Sequence, residues 1–132
     1  MTSTHSTPTA AVRAALQAYQ DKDREAIERL LHPDYRFTSP LDNQLDRKSY
    51  FDICWPNAGM MVRFDIVHAA DIEDRAVVIY EGRTRAGQAF RNCEMHRVQD
   101  GRILETEVYF GWNLPHAVPL GEHRANDGAG HA

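Results

Sequence analysis

Apolar positions along the chain follow two regimes, a helical period before about residue 55 and a period of two after it. Thr7 followed by Pro8 has the form of an N-cap and a first helical residue. Val12, Ala15, Leu16 and Tyr19 then recur on one face of a first helix. Asp23 caps a second helix carrying Ile27, Leu30 and Leu31. Pro33 predicts its end near His32, because a residue before proline is pushed out of the α region. Tyr35 to Thr38 is short and aromatic, and Ser39-Pro40 stops it, which predicts a strand leading into a loop through Leu41, Asp42 and Asn43. A third helix is expected over about Arg47 to Cys54, with Tyr50, Phe51 and Cys54 on its apolar side, ending ahead of Pro56.

After that point the pattern is that of a sheet. Val62, Phe64 and Ile66 alternate with Arg63 and Asp65, and Ala76 to Arg85 is rich in β-branched residues. Ala86-Gly87 turns into a long strand from Gln88 to Val98, and Asp100-Gly101 turns again into Ile103 to Phe110. The predicted class is α+β: a cone-shaped, curved antiparallel β-sheet wrapped around three N-terminal helices and enclosing one pocket. A sheet this long must curl to bury one face against so few helices.

A chain of 132 residues, 42% of them apolar, suits one core and one domain. That domain is placed at residues 7–120, with 1–6 and 121–132 as flexible tails because they lack an apolar period. The net charge of −4 is spread without blocks, which argues against nucleic acid and against an anionic membrane as partners. No apolar run approaches the roughly 20 residues that span a bilayer, and Met1 to Thr9 has neither a basic region nor an apolar core, so a cytoplasmic protein is expected. Cys54 and Cys93 are isolated, and no disulfide is predicted. The seven histidines show no H-x-H or H-E-x-x-H spacing, and the eight glycines fall in turns or tails. No metal and no nucleotide or other cofactor is expected.

Asp21-Lys22-Asp23 at the helix corner, His32-Pro33-Asp34 before the first strand and Asp100-Gly101-Arg102-Ile103 before the last mark an order of elements. Over about Val12 to His116 it resembles the nuclear transport factor 2-like superfamily, in the branch of ketosteroid isomerases and polyketide cyclase-like (SnoaL-like) proteins. The resemblance implies a small-molecule pocket and, since relatives are commonly dimers, a homodimer. It also implies site positions. The isomerases use an Asp base with a Tyr and a protonated Asp on the oxyanion. Ser39 stands where that base precedes proline, and Ala15 where the tyrosine belongs, with Tyr19 one helical turn further along. Glu94 stands at the buried acid. Serine cannot abstract such a proton unaided, so steroid-type isomerisation is not expected.

With Glu94 inward, a period of two places Phe90, Asn92 and His96 on its face and Arg91, Cys93, Met95 and Arg97 on the other. That inner face is unusually polar for a core, where each unpaired buried polar group costs about 1–3 kcal/mol. The converse reading turns these residues to solvent and makes Cys93 and Met95 the core side; the resemblance favours a pocket. By the same alternation Tyr35, Phe37 and Ser39 share a face, Trp55 is a wall or lid, and Thr106, Val108 and Phe110 point inward. Glu105, Glu107 and Tyr109 fall on the convex side, the expected dimer surface, together with Tyr80. Glu81 counts to an inward position, although a solvated or dimer-facing place suits it better.

The expected acid/base pair is therefore Glu94 and His96. The expected ligand contacts are Tyr19, Tyr35, Phe37, Ser39, Trp55, Asn92, Val108 and Phe110. These residues fit a cofactor-independent isomerase, cyclase or lyase acting on a small apolar or carbonyl-containing compound. They fit equally a pocket that binds a small apolar ligand without turnover, and a dimeric scaffold working through its convex face remains a third reading.

Overall fold

Thr7 opens the first helix: its hydroxyl accepts from the Ala10 amide at 3.0 Å, and Pro8 occupies the first turn, where its missing N–H is not needed. In the computed structural model, which describes residues 7–125, this helix is α1 (Pro8–Asp21). Of the tails expected at 1–6 and 121–132, residues 1–6 and 126–132 lie outside the described residues, and 121–125 carry no helix or strand. Lys22 closes α1 in the left-handed conformation at φ 58°, and the Asp23 carboxylate accepts from the Ala26 amide at 3.1 Å to start α2 (Arg24–Leu30).

Helix α2 stops two residues short of the expected His32, because β1 (Leu31–Ser39) already begins at Leu31 and contains Pro33. Proline tolerates an extended segment where no ladder bond is asked of it: pairing to the neighbouring strand lapses between Leu31 and Arg36. The expected loop after Pro40 is instead β2 (Asp42–Asp46), a polar edge strand that closes a hairpin with Phe37 opposite Leu45 and Ser39 opposite Asp42. Asp46 then caps α3 (Arg47–Ser49), accepting from the Ser49 amide at 2.8 Å. The helical path does not end ahead of Pro56. It widens into a π-helical turn (Tyr50–Cys54) and tightens into a 3₁₀ segment (Trp55–Met60), in whose first turn Pro56 is accommodated.

Four long strands follow, β3 (Met61–Ile72), β4 (Arg75–Thr84), β5 (Ala89–Gln99) and β6 (Arg102–Leu114), and the six-stranded sheet runs β2-β1-β6-β5-β4-β3. The α+β class and the curved sheet stand as expected. The sheet is mixed, however, because β1 lies parallel to β6 while every other pair is antiparallel. No hairpin joins those two strands, so no turn dictates their relative direction. Register shifts in β3 at Met61/Arg63 and Ile66/His68, and between β5 and β6 at Arg91/Asn92 and Arg97/Val98, add the extra residues that bend the sheet. The concave face packs Val78 and Ile103 against Val12 and Ile27, all at most 2% exposed. Among the described residues no helix is long and apolar enough to cross a membrane.

Tyr80 belongs to this concave face, not to the convex one. It sits opposite Asn92 in the β4–β5 ladder and is 4% exposed, whereas Glu81, opposite Arg91, points outward. Strand β4 carries apolar residues on both faces, so its own alternation does not reveal which one is inside.

Candidate acid/base pocket

The ladders stack the inward residues into rows. Phe37, Thr106, His96 and Ala76 lie level across β1, β6, β5 and β4, and the next row carries Val108, Glu94 and Val78, with Ser39 continuing the β1 end. A third row holds Phe110, Asn92 and Tyr80. Helix α1, with Ala15, Leu16 and Tyr19, and the π turn, with Tyr50 and Cys54, cover these rows and leave a cavity of about 270 Å³. Leu41 and Phe110, 82% and 52% exposed, flank its opening. A shallower groove over Thr38, Pro40 and Glu107 adjoins the rim.

Most of the lining is apolar, and the polar groups that β4, β5 and β6 contribute form one connected chain. The Gly111 amide donates to Asn92 Oδ1 at 3.1 Å, Asn92 Nδ2 donates to the Tyr80 hydroxyl at 3.4 Å, and Tyr80 donates to Glu94 Oε2 at 2.6 Å. The other carboxylate oxygen, Oε1, lies 2.8 Å from His96 Nε2, and His96 Nδ1 lies 3.0 Å from Thr106 Oγ1. Every member can be satisfied at once: Glu94 accepts from Tyr80 and from His96 Nε2–H, and His96 Nδ1 either accepts the Thr106 hydroxyl or donates to it. His96 is 5% exposed and Thr106 4%. The carboxylate is thus fixed in position by three strands, with lone pairs left to meet a ligand.

The lining tyrosines keep their protons. Burial pushes the Tyr80 hydroxyl far above its usual value, and the charge of Glu94 adds to the push. Burial does the same to Tyr35, an effect that the nearby Thr106 hydroxyl opposes, and to Tyr19, whose hydroxyl donates to the Cys54 carbonyl at 3.1 Å. Tyr50 is likewise raised by burial, with Tyr35, Tyr19 and Glu94 contributing. The Cys54 thiol is pushed up to about 11 by burial and, secondarily, by the charge of Asp42. At the opposite rim Ser39 Oγ donates to Asp42 Oδ2 at 2.7 Å and accepts from the Leu41 amide at 3.0 Å. The serine at the position of the relatives' base is therefore occupied by its own turn, and a carboxylate three residues on lines the cavity instead.

Of the expected site residues, Glu94, His96, Tyr19, Tyr35, Phe37, Ser39, Asn92, Val108 and Phe110 all line this one cavity. Trp55 does not. It stands behind Tyr19, edge-on at 5.2 Å, and against Phe51, so it backs the wall as an outer layer and is neither wall nor lid. Its displacement follows from the helical path running on past Pro56. Tyr80, Asp42 and Tyr50 were not anticipated. Tyr80 could have been found by folding the Ala86-Gly87 hairpin onto itself, which sets it beside Asn92; nothing local distinguishes Tyr50 from an ordinary core aromatic. Among the described residues no group of three or more His, Cys, Asp or Glu is placed to hold a metal ion.

Comparison with curated protein sequences finds no match. Solved structures match the fold. An NTF2-like protein from Cytophaga hutchinsonii superposes with a TM-score of 0.68 at 16% identity, covering 84% of this chain and 95% of that one. An LEH-like epoxide hydrolase of M. tuberculosis gives 0.66 at 19% identity over 76% and 80% of the two chains. IdmH, a candidate polyketide cyclase from Streptomyces antibioticus, gives 0.62 at 20% identity over 76% and 89%. At such identities the likeness concerns the fold alone. The SnoaL-like domain family matches residues 12–106, a span that runs from the first helix through Glu94 and His96 to Thr106, and the chain belongs to that family.

Proposed function

We propose that this protein is an acid/base enzyme of the isomerase, cyclase or lyase type, acting without a cofactor on a small, largely apolar compound that carries a carbonyl group. The observation that carries this reading is the Glu94 carboxylate in a mostly apolar cavity, with one oxygen held by Tyr80 and the other by His96. A carboxylate held at fixed geometry in a mostly apolar cavity is placed to accept a proton α to a carbonyl. Glu94 would take that proton while the C–H electron pair passes into the enolate. Return of the proton at another carbon isomerises the compound; addition of the carbanion to a second carbonyl closes a ring; loss of a β-substituent completes a lyase reaction. His96, fixed by Thr106, keeps the carboxylate aimed.

The same reading places the protein in the cytoplasm, where its two free thiols stay reduced, and pairs two copies through the convex face on which Tyr109 is half exposed. The test of the chemistry is hydrogen–deuterium exchange at the α carbons of a panel of small ketones, followed by NMR in D₂O. Wild-type protein should accelerate exchange for at least one of them and Glu94→Gln should not. Ketones that bind but exchange at the buffer rate would replace the enzyme with a ligand-binding protein.

A further inference from the structure

Two carboxylates line the cavity, three strands apart: Glu94 on β5 and Asp42 on the edge strand β2. Glu94 is level with Val108 on β6, and Ser39 at the end of β1 continues that row to Asp42, its partner across the β1–β2 hairpin. Three strand spacings come to about 14 Å along the sheet, and its curvature shortens the way across the cavity. Glu94 is met by Tyr80 and His96. Asp42 is half-buried and accepts the Ser39 hydroxyl through Oδ2, and among the described residues it forms no ion pair. No lysine or arginine among the described residues lines the cavity, and the sequence at 1–6 and 126–132 contains neither. The rest of the lining is rich in rings, with four phenylalanines and four tyrosines.

We infer that the cavity takes compounds carrying a positive charge as well as the carbonyl: an ammonium ketone, its cationic nitrogen at Asp42 and its acidic C–H at Glu94. This deepens the carbonyl reading above and rests on it. A carboxylate without a counterion at the edge of a mostly apolar cavity attracts a cation more strongly than the same carboxylate in water. The faces of aromatic rings carry negative potential and favour an alkylated ammonium, whose surface is charged and apolar at once. Asp42 follows Leu41, which flanks the opening, so the cation stays near water while the apolar body enters, and the cost of desolvating the charge is limited. The same two carboxylates repel a ligand that bears a carboxylate or a phosphate. Asp42 exchanges no proton in this scheme; it selects the compound and orients it.

The test compares three ketones by calorimetric titration: (4-acetylphenyl)trimethylammonium, the neutral 4-tert-butylacetophenone of the same shape, and 4-acetylbenzoate. Wild-type protein should bind the ammonium ketone about tenfold more tightly than the neutral one, and 4-acetylbenzoate more weakly than either. Asp42→Asn keeps an oxygen for the Ser39 hydroxyl. It should bring the ammonium ketone to the affinity of the neutral one, whose own Kd stays unchanged. Glu25→Gln, which removes a charge from the exposed surface of α2, should leave the preference intact and so separate the site from the general attraction of an acidic chain. Equal affinities for the ammonium and neutral ketones in wild type overturn the inference, as does 4-acetylbenzoate binding as tightly as the neutral ketone. So does a preference that survives Asp42→Asn, one that Glu25→Gln also removes, or an Asp42→Asn protein that loses both ketones equally. If the ammonium ketone is preferred but its acetyl protons exchange in D₂O at the buffer rate, Glu94 as base falls and Asp42 as selector stands. Accelerated exchange without a preference keeps Glu94 as base and removes Asp42 as selector.

Discussion

Tyr80 reaches from β4 to donate a 2.6 Å hydrogen bond to Glu94 Oε2 on β5, the shortest link in the polar chain across the pocket. A hydrogen bond to a charged acceptor contributes about 1.5–3 kcal/mol. Tyr80→Phe should therefore lower unfolding free energy by about 2 kcal/mol, measured by urea titration. Tyr50→Phe, in the same cavity, should cost nothing by the same assay. Equal losses would mean that ring packing rather than the bond decides the outcome.

The five tyrosines should divide four to one at alkaline pH. Tyr19, Tyr35, Tyr50 and Tyr80 are all held neutral in the folded protein, chiefly by burial, while their hydroxyls ionise near 10 once the chain unfolds. Above that pH the unfolded state binds fewer protons than the native one, so stability is fully present below about pH 10 and falls as pH rises beyond it. Tyr109, half exposed on the outer face, is raised mainly by its hydrogen bond to Glu107 and is the one that ionises while the fold persists. Absorbance at the tyrosinate band should climb by about a fifth of its final amplitude before the circular dichroism changes, then complete with unfolding. A native-state rise well beyond one tyrosine would show that the pocket is open to hydroxide.

Two glycines should respond differently to alanine. A Cβ on Gly82 would lie 2.5 Å from the ring of Phe90, which lines the cavity, whereas a Cβ on Gly111 would lie 2.1 Å from the Arg91 backbone carbonyl. A ring can swing; a backbone carbonyl held between two paired strands cannot. Gly82→Ala should lose about 1–3 kcal/mol and change ligand affinity through the displaced Phe90. Gly111→Ala should lose more and loosen Asn92, which accepts the Gly111 amide. Calorimetry of both variants tests the order.

Cys54 should be a sluggish nucleophile. Its thiol sits near 11, so at pH 8 alkylation by iodoacetamide should be far slower than for a free cysteine. Asp42→Asn should shift the rate profile to lower pH, yet leave it above the usual thiol range, because burial is the larger cause. A profile unmoved by Asp42→Asn would place the carboxylate too far from the sulfur to matter.

Local chemistry was legible wherever one residue suffices to fix the backbone. Thr7 before Pro8, Asp23 at the second cap and Asp100-Gly101 at the last turn lie where the sequence places them. The inward set of β5 was legible too, since Asn92, Glu94 and His96 on one face are costly unless they meet partners. What escaped depends on neighbours distant in the chain. Strand β4 is apolar on both faces, so Tyr80 took its side from the register with β5. Asp42–Asp46 has little strand propensity of its own and is extended because β1 lies alongside, with the Thr38 hydroxyl accepting the Gln44 amide at 3.1 Å. Trp55 was placed by a proline expected to end a helix, whereas the 3₁₀ turn absorbs it.

The parallel contact of β1 with β6 bears on biosynthesis. Leu31 meets Ile103 across about 70 residues of intervening chain, and Phe37 meets Thr106 further along the same ladder. During translation the β1–β2 hairpin emerges early and has no neighbour on its β1 side until the last strand clears the ribosome. Its exposed edge is open to wrong pairing for that interval. High contact order of this kind also slows refolding. The pocket therefore cannot exist on a nascent chain, and binding competence should appear in one late step, together with the seating of Thr106 beside His96.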